Sequence, residues 1–242
     1  MAEDEIIKHT KKTFAILKSP EHGWKHKLKE TVVEILIIVF AVTLSIWLHN
    51  VSEQQHDRAE EKEFLKGLKE DLEVNITHIT NSQLFYENTL KGYRYFFAIA
   101  NGLPLNEDSI KIYSSIFFSS TDLDPHIGRY EGLKSSGRFS IIENKELLNN
   151  IITLHESTIQ RIKELNDKYY RHNEKLESLV AQNTRLGKNG QITNAAEIVS
   201  RSDFKILLQV NGAIIANNIL YANQAGITKC KEIINQINDA IK

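Results

Sequence analysis

The feature that most constrains this chain is an apolar run near its start. Val32 to Leu48 reads VVEILIIVFAVTLSIWL, seventeen residues with one charge. With Thr31 and His49 it reaches about the minimum length for a helix crossing a ~30 Å hydrocarbon core. Trp24 and Trp47 lie 23 residues apart, about 34 Å at a rise of 1.5 Å per residue, which lets the two indoles anchor at opposite interfaces. A cleaved signal peptide fits poorly. The run has 31 residues ahead of it and no small-residue cleavage site behind it, where His49, Asn50 and Val51 give way to dense charge. A core helix of a soluble domain would carry a polar face, which this run lacks. The run reads as one transmembrane helix, so the first partner it implies is the lipid bilayer.

Flanking charge sets the expected orientation. Lys8, Lys11, Lys12, Lys18, Lys25, Lys27 and Lys29 precede the span, whereas Arg58, Lys62 and Lys66 follow it among acids. Cytoplasmic flanks carry the basic excess, so the N-terminus is expected inside and the C-terminal part outside, in the periplasm of a bacterial cell. Residues 5–18, EIIKHTKKTFAILK, place Ile6, Ile7, Thr10, Phe14 and Leu17 on one helical face and Lys8, Lys11, Lys12 and Lys18 on the other. Such a helix lies on the inner leaflet or packs against the cytoplasmic part of a partner. Pro20 and Gly23 make the corner that follows. The expected organisation is a cytoplasmic amphipathic segment at 1–22, a transmembrane helix at 23–50 and an extracytoplasmic helical domain at 51–242.

Composition narrows the class of that domain. Thirty Lys and Arg against 31 Asp and Glu give no basic excess for a nucleic acid to exploit. Three prolines and eleven glycines are few for this length, and the abundant residues are helix formers, so an all-α fold is expected. No proline falls between Pro20 and Pro104, which predicts one helix from about Trp24 to Ala100, ended by Asn101 and Gly102. Beyond the span, Leu65, Leu68, Leu72, Asn75, Ile79, Ser82, Tyr86, Thr89, Tyr93 and Phe96 recur at steps of three and four, a packing stripe with polar insertions. A second helix is expected from Glu143 to about Leu186, with Leu148, Ile152, His155, Ile159, Ile162, Tyr169, Leu176 and Val180 on one face. A third is expected from about Ser200 to Ile241, with Leu208, Gly212, Ile215, Ile219, Ala222, Gly226, Cys230, Ile233, Ile237 and Ile241 on its stripe. The limbs, at 51, 44 and 42 residues, suit an elongated antiparallel bundle. Shorter helices at 106–119 and 126–136, separated by Asp124 and Pro125, form either a broken fourth limb or a cap.

Two stretches resemble a known family. EILIIVFAVTLSIWLHN with EEKEFLKGLKEDLEVN behind it, and RYEGLKSSGRFSIIENKELLNNI at 129–151, are similar to an uncharacterised family of single-pass bacterial membrane proteins, abundant in Bacteroidetes, that carry a domain of unknown function. In that family a glutamate opens the apolar helix and a Tyr-x-x-Leu-Lys-x-x-Gly turn precedes a helix start. The matching positions here are Glu34, Tyr130, Leu133, Lys134, Gly137, Ile142 and Leu147. The resemblance covers about half the chain and implies a membrane-anchored helical domain. It transfers no reaction, ligand or catalytic residue.

Few residues suggest chemistry. Glu34 lies about one turn inside the apolar run, where an ionisable group is costly and marks a candidate intramembrane interaction site; the plain alternative is a carboxyl reaching back to the inner interface. His22 and His26 have the i, i+4 spacing of a metal pair but lack a third ligand. Tyr130, Leu133 and Gly137 read as a structural turn, two anchors on one face of a short helix and then a glycine able to take positive φ. A pocket beneath it would be lined by Tyr130, Ser135, Ser136 and Arg138. Asn75-Ile76-Thr77 matches a glycosylation sequon that a bacterial chain would leave unused. Cys230 is alone, so no disulfide framework exists within the chain. No phosphate loop, dinucleotide fingerprint, nucleophile elbow or zinc motif occurs. No catalytic, cofactor-binding or metal-binding residue is therefore assigned, and no enzyme is expected. Three functions remain open: a membrane-anchored structural or interaction subunit, assembling with itself or with an envelope protein; a sensory bundle binding a small periplasmic ligand; and an accessory subunit of a channel or ion-driven motor, motivated by Glu34.

Overall fold

A computed structural model of the 242-residue chain describes Lys11 and residues 24–242 other than Asp122 and Gln191. The expected amphipathic helix at 5–18, Lys11 apart, and the corner at Pro20 and Gly23 lie outside the described residues. Every regular element described is helical, and one isolated antiparallel bridge joins Leu186 to Ile192. The helices are α1 (Trp24–Ala100), α2 (Glu107–Ser114), α3 (Gly128–Ser135), α4 (Lys145–Thr153), α5 (Gln160–Asn183), α6 (Ala195–Ser200), α7 (Ser202–Ile214) and α8 (Leu220–Ala240). Short 3-10 turns follow α2 and α3, at Ser115–Phe117 and Phe139–Ile141.

The chain divides into two compact units, residues 1–60 and 61–242, with α1 belonging to both. Helix α1 ends where Gly102, at φ 105°, turns the chain and donates its N–H to the Ile99 carbonyl at 2.9 Å. Among the described residues one helix, α1, is long and apolar enough to cross a membrane, and none of its most apolar stretch is buried. Phe40 is 68% exposed and Leu36 61%. Ser45 returns its hydroxyl to the Ala41 carbonyl at 2.8 Å, so the helix satisfies its own polar groups.

In the second unit all ten positions of the α1 stripe are buried. Asn75, Ser82 and Thr89, the polar insertions of the stripe, face the chain's own interior. Thr89 donates to the Phe85 carbonyl at 3.0 Å, and Asn75 bonds both backbone groups of His126. Gly226 and Ala222, small residues on the stripe of the third limb, are likewise buried, with Ile162 pressed against Gly226.

The second long limb is helical from 145 to 183. It starts two residues later than expected because Asn144 caps it, accepting from the N–H groups of Glu146 and Leu147. The third limb also starts late. A separate helix α6, which the stripe did not reveal, stops at Arg201, and the guanidinium there pairs with Asp203 at 2.8 Å and donates to Asn183 Oδ1 at 2.7 Å. Each of these limbs contains one π-helical turn, Leu154–Ile159 and Ile215–Ile219. The buried series Ile151, His155, Ile159 and Asn211, Ile215, Ile219 each take two successive four-residue steps. An α-helix would carry such a series about 80° off its face. One extra residue in a wider turn restores the alignment.

Contacts fix the register. Helix α8 runs antiparallel to α1, with Lys69 Nζ donating to Asn238 Oδ1 at 2.9 Å and Ile79 beside Gly226, while α5 runs parallel to α1, Tyr86 meeting Asn166 and Tyr93 meeting Asn173. The chain from α2 to α3 descends along α1: Ile116 lies at Gly92, Asp124 at His78, His126 at Asn75 and Arg129 at Asp71. That descent is a broken fourth limb, not a cap.

Candidate functional site

Three assemblies of side chains stand out. The first is the apolar run itself. Trp47 is 59% exposed and Glu34 is half-buried. The side chains of His22, His26 and Trp24 lie outside the described residues. His49 and His56 are exposed along α1. Among the described residues no group of three or more His, Cys, Asp or Glu could hold a metal ion.

The second is the corner around Tyr130. Tyr130 and Leu133 point from α3 into the core, and Gly137 takes φ 68° just beyond the helix. The tyrosine ring stacks on His155 with centroids 4.1 Å apart and planes at 13°. Its hydroxyl donates to Glu156 Oε1 at 2.7 Å, and Lys134 Nζ donates to the same oxygen at 2.7 Å. Phe139 is a further neighbour of the ring, with centroids 6.3 Å apart. Ser135 and Ser136 spend their hydroxyls on the Gly132 and Leu133 carbonyls. Arg129 fastens α3 to α1 through Asp71 at 3.1 Å. Gly67 leaves room for it, since a Cβ there would sit 2.3 Å from the guanidinium carbon.

His155 Nδ1 lies 2.9 Å from the Ile151 carbonyl, so this nitrogen carries the proton and donates. Nε2 is buried with no partner. Burial lowers the His155 pKa below its ordinary value, against the Ile151 carbonyl and the charges of Glu131, Glu156 and Asp71, which pull it upward. Lys134 and then Tyr130 hold the Glu156 carboxyl below the usual range by hydrogen bonding, and burial combined with the Glu156 contact pushes the Tyr130 phenol up. Glu156, Lys134 and Arg129 were not legible as a set, because Lys134 and its partner lie 22 positions apart in the chain.

The third is a ladder of buried tyrosines and asparagines. Tyr86 donates to Asn166, whose amide donates to the Ile162 carbonyl at 2.9 Å. Tyr93 donates to Asn173 Oδ1 at 2.7 Å, and its oxygen lies 2.9 Å from that of Tyr169; Asn211 donates to the same Asn173 oxygen at 3.4 Å. The seven-residue repeats Tyr86–Tyr93 and Asn166–Asn173 were the available signal. Burial pushes the Tyr93 phenol up to about 12 and the Cys230 thiol up to about 12, so both stay neutral. The ladder fixes which rungs face each other and offers no activated nucleophile. The sequon asparagine, Asn75, is fully buried.

Comparison of the chain with protein-family models, with curated proteins and with solved structures finds no match.

Proposed function

We propose that the chain is a membrane-anchored interaction protein. Residues 31–49 of α1 cross the bilayer of a bacterial inner membrane once, with the N-terminus in the cytoplasm. The helical domain on the periplasmic side assembles with an envelope partner or a second copy. The observation that carries this reading is the apolar run, bare on nearly every side while the helical unit closes its own core. An unburied stretch of this length and composition has lipid as its natural solvent. The lysine excess ahead of it supports the orientation, and the resemblance to single-pass membrane proteins supports the architecture.

The test is capture of the tagged full chain from native membranes beside Glu34→Gln at equal expression. Removing a charge from the span keeps insertion favourable, whereas losing a charge-assisted contact in a low-dielectric setting weakens an assembly built on Glu34. We expect a defined stoichiometric partner, or a second copy, with the parent and less of it with the variant. A parent recovered alone and monomeric would reject assembly as its role.

A further inference from the structure

A groove of about 330 Å³ runs between the second and third long limbs. That lies within the size range of small-ligand sites. Ser157, Thr158 and Arg161 form one wall, and Asn217, Asn218 and Tyr221 the other. Both π-helical turns among the described residues contribute to it, the first through Ser157 and Thr158 and the second through Asn217 and Asn218. Such turns concentrate at functional positions, because the extra residue re-aims side chains. Leu165, Ala222 and Ala225 complete the lining, and next to it Gly226 lets the limbs approach until Ile162 touches the α8 backbone.

The walls are chemically idle within the chain. No hydrogen bond uses the side chain of Ser157, Asn217, Asn218 or Tyr221, and Thr158 reaches only the Thr153 carbonyl, at 3.5 Å. Tyr221 is 78% exposed, the most open of the large apolar side chains described, and presents a bare aromatic face. Arg161 stands 3.9 Å from Glu164, an exposed pair at a separation that contributes little and exchanges readily. No carboxylate lines the groove.

We infer that this groove binds an acidic saccharide. A sugar ring offers a C–H face for the flat phenol of Tyr221 and a hydroxyl edge for two hydroxyls and two amides, groups that both donate and accept. Arg161, a donor with no acceptor capacity, matches a sugar carboxylate by a two-pronged contact. A bare anion would leave the aromatic face and the amides unused. The site does not depend on which side of a membrane the helical unit occupies.

The experiment is ligand-observed NMR titration of the full chain in lipid nanodiscs with D-glucuronate, D-glucose and acetate. D-glucuronate is expected to bind saturably, more tightly than D-glucose, with acetate not binding at the same concentrations. Tyr221→Ala is expected to weaken glucuronate about tenfold, and Arg161→Gln to erase the preference for glucuronate over glucose. Both side chains are exposed, and an unchanged unfolding temperature confirms that each variant folds. Absence of saturable sugar binding, binding indifferent to Tyr221→Ala, or acetate binding as well as glucuronate would each overturn the assignment. So would equal binding of the two sugars by the parent.

Discussion

His155 has its neutral form selected by the fold. Its Nδ1 proton is committed to the Ile151 carbonyl, one face is covered by Tyr130, and Nε2 is enclosed. Charging it places a cation in that enclosure, which Asp71, Glu131 and Glu156 offset only in part. The folded pKa is therefore below the unfolded value of about 6.5, and the unfolded chain takes up a proton first as pH falls. The contribution is fully present above pH ~6.5 and declines as pH drops below it. Denaturant unfolding of the full chain between pH 7.5 and 5 should show a loss of stability that His155→Phe, which keeps a ring on Tyr130, makes shallower. Parallel pH curves for parent and variant would remove His155 from the account. The corner also shows what a sequence hides at this scale. Leu133 and Gly137 have roles readable from spacing, but the identity of the group above the Tyr130 ring depends on the chain returning 25 residues later.

Two glycines on the third limb separate packing from helix propensity. A Cβ at Gly212 would meet Leu90 at 3.6 Å, an ordinary contact, whereas a Cβ at Gly226 would lie 2.7 Å from Ile162 and 3.4 Å from Ile79. Alanine gains about 0.5–1 kcal/mol over glycine in a helix interior, so Gly212→Ala should stabilise by that amount. At Gly226 the same gain is opposed by overpacking of about 1–3 kcal/mol, and Gly226→Ala should destabilise by about 1 kcal/mol. Thermal unfolding of the two variants should move in opposite directions; a rise for both would show that the limbs separate at no cost. The stripes of the long limbs were legible because their periods match the helix repeat. The π-helical turns were present in the sequence only as back-to-back four-residue steps, and those steps become meaningful once Ile151, His155 and Ile159 are known to face one core.

For the whole molecule, the exposed apolar run should dominate behaviour in the cell. The full chain should stay with membranes through alkaline extraction. Leu36→Arg with Phe40→Arg, each costing about 3 kcal/mol near a span centre, should release it to the soluble fraction. Release of the parent under the same wash would reject the span. A reporter active only in the cytoplasm, fused at Lys242, should be silent; activity there would reverse the orientation.

Elements that depend on local order along the chain were legible from the residues alone. The apolar run, the unbroken helix to Ala100, the helical class of the described elements and the buried stripe on α1 all follow from composition and periods of three and four, which any helix must obey. Which stripe meets which was settled by the packed fold. It turned Asn75, Ser82 and Thr89 inward, laid the segment from α2 to α3 along α1, stacked Tyr130 on His155, and opened a polar groove where the two π-helical turns approach. These outcomes hang on contacts between residues two dozen or more positions apart along the chain, as with Tyr130 and His155 or Asn75 and His126. Spacing along one helix says which face is buried, and the partner on the other side of that face is set by packing volume and hydrogen-bond satisfaction among all the limbs at once.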